Sequence, residues 1–473
     1  MTDFAVVGGG VAGLATGLLL ARRGHAVTLF EQDARAPSGD LDADFFDWPR
    51  PRTVPQAVQP HTLLGAARSV LIAELPDVYE DLLRRGAGEY RELSVYEEPP
   101  EPVPGDEDLV LLLPRRILLE TVLYDALRAE PGAVLRYGEP VTGLVFDGVD
   151  ASGVPRVAGV RTDAGACPAD VVVDSAGRRG GTAAWLAEAG GRPPVVERHP
   201  TGLVYYCRWY RLPEGEAPGQ PVVASGSFGG CAVFPADNRV FGVALFLHAG
   251  DPTRAALMDP DVFEAAAETF LPGAKRQARH AAPLSGVLPL AGLENRWTSL
   301  VDEEGPVVAG LLNVGDSFTH TNPTMAQGIS LALWSARRLA HQCASLDPST
   351  AEFTAAYHAW ALDALRPWFD VQVETDEAVG RRYADRAPVP SAGFARERAA
   401  MTACAVTDPV VGRARLRVRH LQTLPAQAYG DEEVQQHLTR WLAANPSWEP
   451  RAEGPTREEW EKAVGTGRRE TAG

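Results

Sequence analysis

Val6-Val7-Gly8-Gly9-Gly10-Val11-Ala12-Gly13 is the stretch on which the fold of this 473-residue chain turns. Residues 4–7 before it are a short apolar run, residues 14–23 after it favour helix until Gly24 stops them, and a second apolar run, 26–30, ends at Glu31. Strand, glycine-rich turn, helix and strand in that order predict a dinucleotide-binding unit. Each glycine has its own task. Gly8 permits the tight turn, Gly10 lets the backbone approach a pyrophosphate, and Gly13 lets the helix pack closely on the strand. The helix N-terminus offers its dipole to the phosphates, and Glu31 stands where a ribose hydroxyl is bound.

Further along, residues 34–60 are rich in Pro, Asp and Arg and read as a long irregular segment, a candidate cofactor or substrate loop. Residues 61–86 read as helical with a break at Pro76, and 116–128 as a second helix. The short runs 134–136, 141–146, 157–161 and 169–174 suggest an antiparallel ribbon beside the first sheet. Longer β-rich runs follow at 203–210, 222–234 and 239–247, with Pro235-Ala236-Asp237-Asn238 as a hairpin turn. Residues 307–314 read as a buried strand and 327–342 as a helix, the chain is mostly helical to about 442, and the polar tail from Pro446 reads as frayed. The fold class is therefore α/β: a Rossmann-like nucleotide-binding domain (1–195 and 304–345), an inserted mixed β-sheet substrate domain (196–303) and a helical C-terminal region (346–473).

With 45% apolar and 23% charged residues the chain has ample material for a core. A net charge of −17 repels a phosphate backbone and argues against nucleic acid as a partner. Five widely spaced cysteines, Cys167, Cys207, Cys231, Cys343 and Cys404, form no CxxC pair and fit reduced thiols better than a disulfide framework or metal site. The N-terminus has no basic leader and no run suits an integral membrane span, so a cytoplasmic protein is expected.

A second motif follows the buried run at 307–314: Gly315-Asp316, then Pro323, Gln327 and Gly328 at the start of a helix. Here the sequence resembles the FAD-dependent monooxygenases of the aromatic-hydroxylase type. That resemblance implies that Asp316 binds the ribityl chain, that Pro323 lies by the isoalloxazine and that Gly328 presents backbone N–H to the flavin O2. A helix N-terminus at that edge stabilises the negative charge that develops there. Arg116-Ile117-Leu118-Leu119-Glu120 is similar to the family's arginine-led helix start near FAD, and Val141 joins the implied cofactor set. Ala169 to Arg178 resembles the family's second strand motif, but Ser175 and Ala176 interrupt its Asp-Gly ending, which puts direct NAD(P)H contact there in doubt. Val54-Pro55-Gln56, with His61 nearby in residues 52–64, is similar to a segment of bacterial flavin epoxidases and hydroxylases of natural-product pathways.

The resemblance implies delivery of one oxygen atom from O2, through a C4a-hydroperoxyflavin, into an apolar or aromatic intermediate by hydroxylation or epoxidation, with Baeyer–Villiger insertion also open. NAD(P)H is the implied electron source, directly or through a separate flavin reductase. Such chemistry needs binding, orientation and exclusion of water rather than a nucleophile. Among His61, His248 and His320, the proton-transfer candidate is His61, on the long irregular segment. Strand alternation puts Leu203, Tyr205, Cys207 and Trp209 on one face of a sheet, and Tyr205, Trp209 and Phe234 are the candidate substrate-pocket residues. Flavin halogenases share the glycine turn but carry halogen on an N-terminal lysine, and this chain has only Lys275 and Lys462. A redox-silent FAD-scaffolded cyclase and a flavin-dependent reductase of an isoprenoid-like chain are the alternative readings.

Overall fold

The computed structural model describes residues 1–48, 54–385, 394–450 and 454–470, so Arg52 and Thr53 of the segment at 52–64 lie outside the described residues. Asp3–Val7, Ala26–Glu31 and Ala133–Tyr137 pair in parallel, and Val171–Asp174 and Leu311–Asn313 continue the same sheet on its other side. A parallel sheet is covered on both faces, which is why Phe4 to Val7 and Val171 to Val173 are all buried. Phe4 and Val6 point into a core shared with the helices Val11–Ala21, Arg116–Ala129 and Gly328–Gln342. Ala5 and Val7 point the other way, against a three-stranded ribbon of Val141–Val149, Pro155–Thr162 and Gly165–Pro168.

Only two of the four runs expected in that ribbon belong to it. Ala133–Tyr137 takes the edge beside Ala26–Glu31, and Val171–Asp174, buried throughout, sits inside the parallel sheet. The helical stretch at 61–86 does break at Pro76, into Gly65–Glu74 and Pro76–Arg84.

A second, antiparallel sheet is built on Leu203–Arg211 and Val240–His248. The run at 222–234 is two strands rather than one, Val222–Ser225 and Gly229–Pro235, because the chain reverses at Gly226, whose N–H bonds the Gly229 carbonyl at 2.7 Å. The turn after Pro235 carries positive φ at Asn238 (55°) and Arg239 (64°), the backbone hand that suits a tight hairpin. Its Asp237, fully buried, accepts from the Arg115 backbone N–H at 2.6 Å and from the Arg115 guanidinium at 2.8 Å. The hairpin is thereby clamped to the start of the Arg116–Ala129 helix. Of the run at 307–314 only Leu311–Asn313 is strand, since Gly310 (φ +71°) redirects the chain.

The C-terminal helices Ala351–Ala364, Arg366–Asp385 and Pro409–Arg419 bury Phe353, Phe369, Val411 and Val418 in the same core as the glycine-turn helix. The tail expected to fray contains a helix, Arg457–Glu470, whose Trp460 is fully buried against Phe228 (5.6 Å) and Phe270 (5.8 Å) of the sheet domain. Arg457 adds an ion pair to Asp251 at 2.5 Å. Two apolar side chains in a polar sequence, Trp460 and Val464, dock it. No helix among the described residues is long and apolar enough to cross a membrane.

Candidate active site

One cavity of about 1290 Å3 runs from the glycine turn to the C-terminal helices. That exceeds the ~300–1,000 Å3 of a single-ligand pocket, so cofactor and substrate can share it. At one end Gly8 holds φ +110°, its N–H bonded to the Phe30 carbonyl at 2.8 Å, where the chain leaves the sheet for the helix. A Cβ on Gly13 would lie 1.9 Å from the Gly8 carbonyl oxygen, so only glycine lets the helix approach this closely. A Cβ on Gly10 would meet only Arg116 Nη2, at 3.4 Å, and Glu120 Oε1, at 4.0 Å, and the backbone faces the cavity. The Val11–Ala21 helix has no side-chain cap and no acid in its first turn, leaving its N–H groups to an anion from outside.

Glu31 accepts from the Gly9 N–H at 2.6 Å and the Asp33 N–H at 2.9 Å, which fixes its carboxylate at the cavity wall with lone pairs to spare for a ribose hydroxyl. Residues 35–44 beside it are tied together by buried Asp44, which accepts from the Ser38 N–H at 2.6 Å and from Arg35 at 2.7 Å. Trp48, whose indole N–H donates to Asp33 at 2.7 Å, brings that segment to the cavity.

At the middle of the cavity Gly315, with φ +67°, packs where a Cβ would come within 2.6 Å of Ala12, so the second motif rests directly on the first. Asp316 lies 3.2 Å from the Gln56 amide and 3.1 Å from His320 Nδ1. Burial opposes ionisation of Asp316, but the charges of His320, Arg116 and Arg296 outweigh it and hold the carboxyl below its ordinary range. Burial, and then the Arg116 charge, push the His61 imidazole down to about 4, so it is neutral at neutral pH, with Nδ1 2.8 Å from the Gln59 carbonyl. The chain turns at Pro323–Met325, passes through left-handed Ala326 (φ 55°) and enters the Gly328–Gln342 helix, again without an acid in its first turn.

These residues fit FAD. The adenine-side cradle is open at Gly10, and the second helix start is open at Gly328, where a Cβ would meet nothing nearer than Thr321 Oγ1 at 3.7 Å. His320 Nε2 and the Thr321 hydroxyl, both on the cavity wall, are buried without a hydrogen bond among the described residues. Unmet polar atoms cost about 1–3 kcal/mol each, and a polar cofactor face satisfies them.

Gly8, Gly10, Glu31, Gln56, Arg116, Val141, Asp316, Pro323 and Gly328 all line this one cavity, with His61, His320, Tyr205 and Phe234. Gly13 stands behind the turn. Two expectations fail. Trp209 is buried, edge-on to Phe45 at 5.1 Å with its indole N–H donated to the Val58 carbonyl at 2.8 Å, and it does not line the cavity. His248 lies outside, in the turn where the Gly250 N–H bonds its Nδ1 at 3.2 Å.

Asp376, on the Arg366–Asp385 helix, is a residue that sequence reasoning missed. Its buried carboxylate accepts from Asn295 (2.8 Å), Asn322 (2.9 Å), Thr324 (2.8 Å) and Gln372 (2.9 Å). Thr324 in turn lies 3.1 Å from the Tyr205 hydroxyl, and Gln372 accepts from Gln327 at 3.0 Å. The turn before Gly328 is thus held from above by one carboxylate. The signal available was a polar pair four residues apart, Gln372 and Asp376, on an otherwise apolar helix face. A second clasp joins the roof to the base: the Gly65 N–H donates to His420 Nδ1 at 2.7 Å, so the ring proton sits on Nε2, 2.5 Å from Glu92.

The comparisons agree with this geometry. The family model for FAD dependent oxidoreductases matches residues 3–42. The chain is 28% identical over 351 residues to the 6-methylpretetramide 4-monooxygenase of Streptomyces rimosus, covering 70% of this chain and 72% of the relative. Among solved structures it superposes on the FAD-dependent monooxygenase PqsL of Pseudomonas aeruginosa with a TM-score of 0.59 at 17% identity, over 81% of this chain and 99% of that one. The chain is an FAD-dependent oxidoreductase of the monooxygenase type. The flavin-dependent brominase Bmp2 shares the fold at a TM-score of 0.57 and 15% identity, over 94% of this chain and 98% of that one. The two glycine motifs, the antiparallel sheet and the C-terminal helices all contribute residues to the lining of the cavity.

Proposed function

We propose that this flavoprotein hydroxylates an aromatic natural-product intermediate with O2, taking electrons from NAD(P)H directly or through a reductase. The overall balance is substrate C–H, O2, NAD(P)H and a proton to C–OH, NAD(P)+ and water. The carrying observation is that one cavity is lined both by Asp316, Pro323 and Gly328 and by Tyr205, Phe234 and Phe246. Flat aromatic walls favour a flat aromatic guest. The relative that acts on 6-methylpretetramide supports the same class. In this reading residues 1–195 and 304–345 hold the cofactor, while 196–303 and the helices of 346–473 enclose the substrate.

When bound and reduced, FAD would supply the activation of O2, from which the transferred oxygen atom comes. The chain's residues do the rest. Glu31, Arg116 and the first helix N-terminus would hold the dinucleotide. Gln56, Asp316 and the Gly328 N–H would hold the flavin end, and the second helix dipole stabilises negative charge there. Tyr205, whose phenol pKa burial pushes up, stays protonated and offers a hydrogen bond to a substrate hydroxyl. His61, neutral at neutral pH, is a proton acceptor at the cavity wall. The helical roof excludes water.

A halogenating reading has the fold of Bmp2 behind it, but the chain places no lysine before residue 275 to carry halogen. The test is turnover of a tetracyclic polyphenol under labelled O2. One labelled oxygen atom in the product and matching oxygen uptake support hydroxylation. Turnover with no oxygen consumed overturns it in favour of a cyclase or reductase.

A further inference from the structure

The end of the cavity far from the glycine turn is positively charged in a chain whose net charge is −17. Arg382 on the Arg366–Asp385 helix and Arg415 on the Pro409–Arg419 helix both line it, and Arg398 and Arg419 lie on the same wall. The carboxylates on the wall are distributed the other way. Glu31, Asp33, Glu120 and Asp316 stand with the cofactor motifs, and Glu92 at the far end is already taken by Arg419 at 2.6 Å and His420 at 2.5 Å.

Arg415 has no carboxylate within ion-pair distance among the described residues. The groups that act on its charge are the phenols of Tyr429 and Tyr96 and the guanidinium groups of Arg419 and Arg398, and burial lowers its pKa. Arg382 lies over the Tyr383 ring at 5.1 Å, and its Nε is buried without a hydrogen bond among the described residues. An arginine stays charged, and a desolvated cation without a counter-charge is costly to keep. Carboxylates are abundant elsewhere in the chain, and pairs such as Arg413 with Asp106 at 2.9 Å, on the same helix as Arg415, show how readily the fold supplies one where structure alone needs it.

We infer that the substrate binds as an anion, with its acidic group held by Arg415 and steadied by Arg382, while its aromatic body reaches toward Tyr205 and Phe234. The group is a carboxylate or the enolate or phenolate of an acidic polyphenol. Its planar oxygens match the guanidinium fork. This deepens the aromatic-hydroxylase reading and rests on it, but its test is binding, which needs no turnover.

The experiment titrates the FAD-loaded protein with anthraquinone-2-carboxylate and with anthraquinone-2-carboxamide, reading the perturbation of flavin absorbance and the heat of binding. The carboxylate should bind about tenfold tighter or more, the worth of one hydrogen-bonded charge pair. Arg415→Met should bring the two ligands level with FAD content unchanged, Arg415→Lys should keep part of the preference, and Arg382→Met should reduce it. Equal affinities in the unaltered protein, or a preference that survives Arg415→Met, overturn the assignment. An anthraquinone-2-phosphonate arm separates a general anion site, which binds it as well, from one shaped for a planar oxyanion. Failure of labelled oxygen to enter any product, with the carboxylate preference intact, would fault the reaction and not the anion site.

Discussion

Replacing Asp376 by Asn changes one oxygen for an NH2 group at a point where four side-chain donors converge. The oxygen that remains can keep two of them, so two donors face an amide that also donates. Asn295 cannot turn its amide to adapt, because its own oxygen accepts the Asn322 N–H at 2.7 Å. Hydrogen bonds to a charged group are worth about 1.5–3 kcal/mol each, and after local relaxation the loss of two is expected to cost about 2–4 kcal/mol. With an unfolding entropy of about 2 cal/mol/K per residue, a chain of this length that unfolds as a unit loses about 2–4 °C in midpoint. The assay is thermal unfolding of the FAD-loaded protein followed by flavin fluorescence and by circular dichroism. FAD should leave before the global transition, because the turn at 322–327 loosens first, and kcat should fall more than KM rises. Gln372→Met, which removes one donor to Asp376 and the acceptor of the Gln327 amide, should loosen the same turn. A variant with an unchanged midpoint, unchanged FAD retention and unchanged turnover would refute the claim that Asp376 positions this turn.

Gly13→Ala puts a methyl 1.9 Å from the Gly8 carbonyl oxygen, about 1.4 Å inside an ordinary contact, and is expected to fold poorly or lose FAD altogether, as judged by yield and flavin content. Gly10→Ala meets only side-chain ends and should fold normally while binding FAD at least about tenfold more weakly by equilibrium dialysis. His61 has a folded pKa of about 4 against an ordinary 6.5, so it contributes stability above pH 6.5 that is lost as pH falls toward 4. Unfolding midpoints of the FAD-free protein should therefore drop less between those pH values in His61→Gln, and parallel profiles would contradict the assignment. Trp460→Ala removes a fully buried indole and should destabilise the sheet domain by about 3–5 kcal/mol in a denaturant titration, leaving FAD content intact at low denaturant.

The parts legible in the sequence were those whose causes are local. The glycine turn and Glu31 are set by steric needs within thirty residues, and Asp316 to Gly328 repeat the same strand-to-helix logic. Trp209 misled because alternation tells which face a side chain takes and not what covers that face; here Phe45 and Val58 arrive from far away in the chain. The parallel strands at 133–137 and 171–174 looked like ribbon strands because pairing partners lie outside the local run. Asp376 was invisible for the same reason, its donors at 295, 322 and 324 being 81, 54 and 52 residues away. Arg415, in the helix PVVGRARLRVR, has the look of a solvated basic face until the cavity is seen behind it.

The clasp between Gly65, His420 and Glu92 has a bearing on how such enzymes could be recombined. Gly65 is fixed in its role, since a Cβ there would lie 1.8 Å from the Asp108 carbonyl oxygen and 2.7 Å from His420 Nδ1. A chimera that imports the roof helices of a relative to change substrate choice therefore needs a neutral acceptor at 420 and a proton for Glu92. Without both, the graft strands a carboxylate and a backbone N–H in the interior. The seam for swapping specificity lies inside this triad, and crossovers that carry residues 65, 92 and 420 from one parent should outlive those that mix them.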